Sequence, residues 1–302
     1  MGRSSVQFDR WKPREKSTWV FRVFKQHNAE LLRMFTAFEN SQKYTFKNLG
    51  KSKAKLSDLP SQHFDYNHAK EYDQYKDLSD WTSAFNDLEN WINLNALVTI
   101  SSNFETYLST VIPLALSSDL GVLYGVPNKI DGIDILKNGH ESPFDFKNIV
   151  INCTKGTWSA RLSAYEKAFG RSPSIFSNNL STLDIIRNIR NDVAHAFGRD
   201  IDESRNHQEI KKLPIKKLSR DKLIKYQELV WKIAKSIDVH LHNFHIGEYQ
   251  AILFYHEIYS ELNHSTHPSL RAMELKKRIG TFGTTPVGKE FCKGLVNYYE
   301  SL

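Results

Sequence analysis

LDIIRNIRNDVAHAFGRD, residues Leu183–Asp200, is the stretch that decides how this chain folds. Set on a helix at about 100° per residue, it separates into two faces. Ile186, Ile189, Val193 and Phe197 form an apolar stripe, which predicts a helix packed on a core. Asp184, Asn188, Asn191 and His195 lie opposite, with Asn191 and His195 one turn apart on the same face. Arg190 flanks the stripe, and Arg187 stands between stripe and polar face. Both arginines are long enough to reach round the helix. Gly198 supplies the expected C-terminal cap. A solvated face is the ordinary reading of such polar positions. Here they hold two Arg, four amides or acids and one His, with no Lys between Asp184 and His195. That set suits an anionic site. Arginine offers a rigid fork for phosphate oxygens, and an imidazole exchanges protons near neutral pH.

Outward from this helix the periodicity stays helical. Trp19, Phe21, Phe24, Leu31, Leu32, Phe35 and Phe38 recur at helical spacing, before a loop marked by Gly50 and Pro60. A second helix is predicted over about Leu88–Leu116. Residues Ser117–Asn152, rich in Gly, Pro, Asn and Asp, read as loop with short structured pieces. Helix resumes over Trp158–Phe169 and stops at Gly170 and Pro173. After the motif helix (about Ser181–Phe197) comes a basic linker with Lys211, Lys212, Lys216 and Lys217. Helices are then predicted near Arg220–Phe244, Gly247–Leu262, Leu270–Ile279 and Pro286–Glu300. No alternating strand pattern and no internal repeat occurs. The expected class is therefore all-α.

At 302 residues the chain has room for one large domain or two ordinary ones. Its 40% hydrophobic and 25% charged content is that of a globular protein. The net charge of +7 and pI near 9.1 favour an anionic partner. The front of the chain is split by sign. Residues 1–56 are basic (Arg10, Lys12, Arg14, Lys16, Lys47, Lys51, Lys53, Lys55), and 57–90 are acidic (Asp58, Asp65, Asp77, Asp80, Asp87, Glu89). Two solvated faces that attract each other are the simpler reading; a basic arm for an RNA backbone is the sharper one. The two cysteines, Cys153 and Cys292, sit in no CxxC or Cys/His cluster. A disulfide framework or zinc finger is not expected, and a reducing, cytoplasmic setting is. MGRSSVQFDRWK has no apolar run of a secretory leader, and Val111–Leu116, interrupted by Pro113, is too short to span a bilayer.

Two other patterns fail on context. Gly283–Glu290, GTTPVGKE, has phosphate-loop spacing, but Glu290 stands where Ser or Thr would hold magnesium and no strand precedes it. Thr285 and Pro286 read better as the start of a helix. Val239–His245, VHLHNFH, looks like a metal run, yet His240 and His242 point to nearly opposite sides of a helix. At most His242, His245 and Glu248 could share a face. Neither a metal nor a cofactor is expected.

Arg190–His195, RNDVAH, resembles the Arg-x4-6-His signature of HEPN ribonucleases, with Asn191 as the polar residue after Arg. The surrounding layout is similar too: an earlier helix of the type VTISSNFETYL (Val98–Leu108), a helix ending at Phe169–Gly170, the motif helix capped by Gly198, and the long Arg220–Phe244 helix. The resemblance covers Trp81–His245. It implies a helical bundle at 81–245, between a basic helical extension at 1–80 and a C-terminal helical extension at 246–302. The Ser117–Asn152 insertion departs from the compact form. Such domains form homodimers in which two motif helices meet in one cleft, and they cleave RNA without metal through attack by the 2′-OH. The resemblance implies His195 as general base or acid, Arg190 as phosphate stabiliser and Asn191 as an orienting group. Arg187, Asp192 (if it meets His195) and Glu105 (facing Arg190 or Arg187) are the supporting residues. It further implies a toxin or phage-defence effector with an antitoxin or defence-system partner. A non-catalytic RNA-binding protein, or a dimeric adaptor whose motif helix only builds the interface, is the alternative.

Overall fold

The computed structural model describes residues 7–65, 74–139, 144–206, 213–262, 267–280 and 287–302. Among them helices dominate and no β-strand occurs; a lone antiparallel bridge joins Asp119 to Asp131. The long helices are α1 (Trp19–Lys51) and α2 (Leu78–Ser118). Three short ones follow in the insertion and after it: α3 (Gly132–Lys137), α4 (Lys147–Thr154) and α5 (Trp158–Phe169). Then come α6 (Ser174–Ser177), the motif helix α7 (Leu180–Ala196), α8 (Ile201–Ser204) and α9 (Arg220–Leu241). The last three are α10 (Tyr249–Tyr259), α11 (Pro268–Ile279) and α12 (Lys289–Ser301). The all-α expectation holds. Helix α2 starts ten residues earlier than its apolar periodicity suggested, because Asp77 caps it by accepting the Asp80 N–H at 2.9 Å. The Thr285–Pro286 helix start lies outside the described residues, as do Lys211 and Lys212; α12 is entered from Gly288.

The chain divides into two compact units that are not consecutive blocks. Unit 1 comprises residues 1–25, 104–184 and 230–302; unit 2 comprises 26–103 and 185–229. The division differs from the sequential 1–80, 81–245 and 246–302 segments, since α1, α2, α7 and α9 each contribute residues to both units.

In unit 1, Phe21, Phe24, Tyr107 and Trp231 form an aromatic group with ring centroids 5.3–5.9 Å apart. Arg10 is the surprise. It belongs neither to a solvated face nor to an arm, being only 4% exposed. Its guanidinium makes a bidentate pair with Asp131 (2.7 and 2.9 Å) and donates to the Ile246 carbonyl (2.7 Å) and the Ser118 carbonyl (3.1 Å). It thus neutralises a half-buried carboxylate and satisfies carbonyls at the end of α2 and beyond α9. Arg14 is half-buried, beside the buried Glu15. The lysines at 47, 51, 53 and 55 remain exposed.

Unit 2 packs Leu94, Leu97 and Ile100 of α2 with buried Ile186, Leu218, Leu223 and Tyr226 in its interior. A second aromatic group, Phe46, Phe64, Trp81 and Phe85, joins α1 and α2. The segment before α9 is tied down by two buried amides. Asn90 donates to the Lys216 carbonyl (3.0 Å) and accepts the Leu218 N–H (2.8 Å), and Asn93 donates to the Leu218 carbonyl (3.1 Å). No described helix is long and apolar enough to cross a membrane.

Candidate active site

Helix α7 presents the motif from unit 2. Leu183 and Ile186 are buried, Ile189 and Val193 half-buried, and the Asn188 and His195 side chains are exposed. Phe197 leaves the predicted apolar stripe and is 57% exposed. The cause is the helix end. Phe197 (φ +53°) and Gly198 (φ +77°) both turn left-handed, and the Gly198 N–H returns to the Asp192 carbonyl at 3.0 Å. The cap thus begins one residue before the glycine, on a bulky side chain for which positive φ is costly. Arg199 stacks on the displaced ring, 5.2 Å from its centroid.

Arg190 and Asn191 are brought together: the guanidinium Nη1 donates to Asn191 Oδ1 at 3.2 Å, and Arg190 is half-buried. That contact steadies the guanidinium beside the polar face. His195 stands one turn beyond Asn191, open to solvent, with no hydrogen bond or ion pair among the described residues. Asp192 does not meet it. Its carboxylate is turned to Lys216 Nζ at 2.5 Å, and Asp200 reaches the same ammonium at 3.6 Å. The hydrogen bond that it donates to Asp192 is the main reason the Lys216 ammonium holds its proton more tightly than usual. Lys217 pairs with Asp87 at 3.2 Å. The described part of the basic linker therefore fastens α7 and α2 with its charges. Arg187 is half-buried on α7. Glu105 lies in unit 1, where its Oε1 accepts both terminal nitrogens of Arg161 at 3.2 Å.

The histidine run of α9 is arranged differently from a continuous α-helix. After Leu241 the backbone makes a π turn, His242–Ile246, closed by the Gly247 N–H on the His242 carbonyl at 2.9 Å. Residues five apart on an α-helix diverge by about 140°, but an i→i+5 turn stacks them. His240 and His245 consequently face one another, ring centroids 5.8 Å apart. His242 and Glu248 line a different, small cavity with Arg14 and Glu15. His242 and Glu248 are thus apart from His245, and no three-residue metal cluster occurs among the described residues. His245 Nδ1 meets Asp119 Oδ2 at 2.9 Å, and His240 Nδ1 meets the Tyr165 hydroxyl at 2.7 Å. Nε2 of His240 is sealed from water and has no hydrogen-bond partner. An orphaned buried group of this kind costs about 1–3 kcal/mol. Burial pushes the His240 imidazole down to about 4, so it is neutral at physiological pH. No sequence signature announces a π turn, so this pairing was not legible beforehand.

Comparison with protein-family models, with curated proteins and with solved structures finds no match to this chain.

Proposed function

We propose that this chain is a metal-independent endoribonuclease of HEPN type, working through Arg190, Asn191 and His195. One observation carries the reading. An exposed, unpartnered His195 and an Arg190 held on Asn191 lie along the last turns of one helix. That combination supplies the two groups that phosphodiester cleavage needs.

The RNA supplies its own nucleophile. The 2′-OH loses its proton to an imidazole as its oxygen attacks the adjacent phosphorus. The bond to the 5′-oxygen breaks, and that oxygen takes up a proton as it leaves. The products are a 2′,3′-cyclic phosphate and a 5′-hydroxyl end. Arg190 offsets charge that grows on the non-bridging oxygens. Base and acid are two roles, and each chain offers one motif histidine. A homodimer with facing α7 helices supplies both, and the exposure of His195 on a single chain agrees with a partner covering it. A toxin or defence role, with a protein partner that restrains the activity, follows from the same reading.

The test is cleavage of RNA by the full chain in EDTA. Wild-type protein is expected to cut, leaving 2′,3′-cyclic phosphate ends. His195→Ala and Arg190→Ala should each lose on the order of 10²–10³-fold in rate or more while keeping a wild-type helical spectrum. A substrate with a 2′-deoxy sugar at the cut site should bind and resist cleavage. Full activity of His195→Ala, or cleavage of the deoxy substrate, overturns the mechanism.

A further inference from the structure

Unit 1 carries a second polar constellation that RNA cleavage by α7 does not use. A cavity of about 250 Å³ is lined by Phe169, Arg171, His240, Phe244 and His245, with Asn128 beside them. We propose that this cavity is a binding site for a phosphate monoester carried on a planar ring, with His240, His245 and Arg171 as its polar recognition groups. The proposal is independent of the RNA-cleavage reading.

The hydrogen-bond pattern sets the ligand chemistry. The buried Tyr165 hydroxyl has His240 Nδ1 as its partner and no other acceptor among the described residues, so we assign the phenol proton to that contact. The imidazole hydrogen then sits on Nε2, the atom that is buried and unpartnered. This is an N–H donor in need of an oxygen. His245 is fixed the other way round. The Asp119 carboxylate can only accept, so Nδ1 carries a hydrogen, and in the neutral ring Nε2 offers a lone pair. Asp119 has a second duty, accepting the Asn128 N–H at 2.8 Å through its other oxygen. Asn128 is held at φ +61°, an uncommon conformation that such anchoring sustains. One wall therefore presents a donor and an acceptor side by side.

Charge and shape complete the match. Arg171 is exposed, has no carboxylate partner among the described residues, and lies 4.1 Å over the Phe244 ring. Phe244 is 46% exposed and its ring is 5.5 Å from that of His240, with Arg171 on its face. A ligand that turns Phe244 aside meets a cation, an N–H and a lone pair, with aromatic faces on either side. A phosphate monoester monoanion has oxygens for the first two and a P–OH for the third. A carboxylate lacks that hydroxyl. A planar ring stacks on Phe169 or Phe244, which inorganic phosphate cannot do.

Calorimetric titration of the full chain tests this with four probes: adenosine monophosphate, phenyl phosphate, inorganic phosphate and benzoate. Adenosine monophosphate or phenyl phosphate should bind saturably at one site, and which of them binds more tightly tells a nucleotide from a simple aryl ester. Inorganic phosphate and benzoate should bind at least about tenfold more weakly. Arg171→Gln, an exposed change that leaves the fold intact, should weaken the ester about tenfold or more, as loss of a charge-assisted contact does. His240→Gln should do the same, and nitrogen-detected NMR of the wild type should show the His240 Nε2–H moving on binding. His195→Ala should bind like wild type, which separates this site from the α7 site. The proposal is overturned by the absence of saturable ester binding up to about millimolar concentration, by benzoate matching phenyl phosphate, or by Arg171→Gln binding unchanged.

Discussion

Arg10 shows what a single buried charge holds in place. Its partners come from residues 118, 131 and 246, and the Tyr298 hydroxyl donates to the same Asp131 carboxylate. Removing one member of such a buried pair typically costs about 3–5 kcal/mol, because the other charge is left without compensation. Arg10→Ala should lower the unfolding free energy from chemical denaturation by that amount, and a loss under about 1 kcal/mol would contradict the assigned role. Asn90→Ala should cost about 1–3 kcal/mol, by orphaning the Lys216 carbonyl and the Leu218 N–H. Chemical denaturation of the purified variant measures it. These two residues were illegible beforehand for different reasons. A basic N-terminal arginine reads as solvated until its partners are known. The peptide groups that Asn90 binds lie 126 and 128 residues away along the chain. Arg190, Asn191 and His195 could be singled out because their relation is local, within two turns of one helix. Asp192 was equally visible, but its partner Lys216 is not local, and so its direction was open.

Helix ends and interruptions separate what periodicity tells from what it hides. The span of α5 matches its sequence boundaries, since Thr157 caps it and Gly170 ends it with positive φ. The end of α7 was placed correctly to within a residue, but not the conformation of Phe197, because two left-handed residues in succession are a tertiary outcome. Gly198 lies where a Cβ would come 3.0 Å from Ile215 and 3.1 Å from Leu94. Gly247 is tighter: its φ is +52° and a Cβ there would come 2.2 Å from the Arg10 carbonyl oxygen. Side-chain atoms can give way, whereas a backbone oxygen held by the Arg10 network cannot. Gly198→Ala should therefore cost about 1–2 kcal/mol, mainly for its left-handed backbone. Gly247→Ala should cost clearly more, and thermal melts of the two variants side by side give the order. Equal losses would show that the Arg10 segment yields easily.

Across the whole molecule, acid sensitivity is set by groups that oppose each other. His240 and His242 titrate at about 4, against an ordinary value of 6.5, with burial as the main cause. Their contribution is complete above pH 6.5 and is lost as pH falls toward 4. Burial pushes Asp238 and Glu248 up to about 6 from 3.8 and 4.5, so their contribution is complete at low pH and lost as pH rises through 6. Between about pH 4.5 and 6 the two pairs offset each other. Asp238→Asn removes one acid, and its melting temperature should then fall as pH is lowered through that window. A pH profile parallel to wild type would rule out the offset. The interleaving of the units also bears on dissection. A fragment of residues 81–245 lacks Arg10, Phe21, Phe24, Ile252 and Tyr255, all buried in unit 1. It is expected to melt without a cooperative transition, as calorimetry would show. The same interleaving has a meaning for biosynthesis. On the ribosome, unit 2 has all its residues once Leu229 has been added, whereas unit 1 must wait for the stretch after it. Arg10 is made before Ile246 and Tyr298, which are among its last associates to arrive. Until residues 231 and 246 have been added, Phe21 and Phe24 lack Trp231 and that guanidinium lacks its Ile246 partner. A chain stopped at Leu229 would keep this apolar surface open to chaperones and proteases.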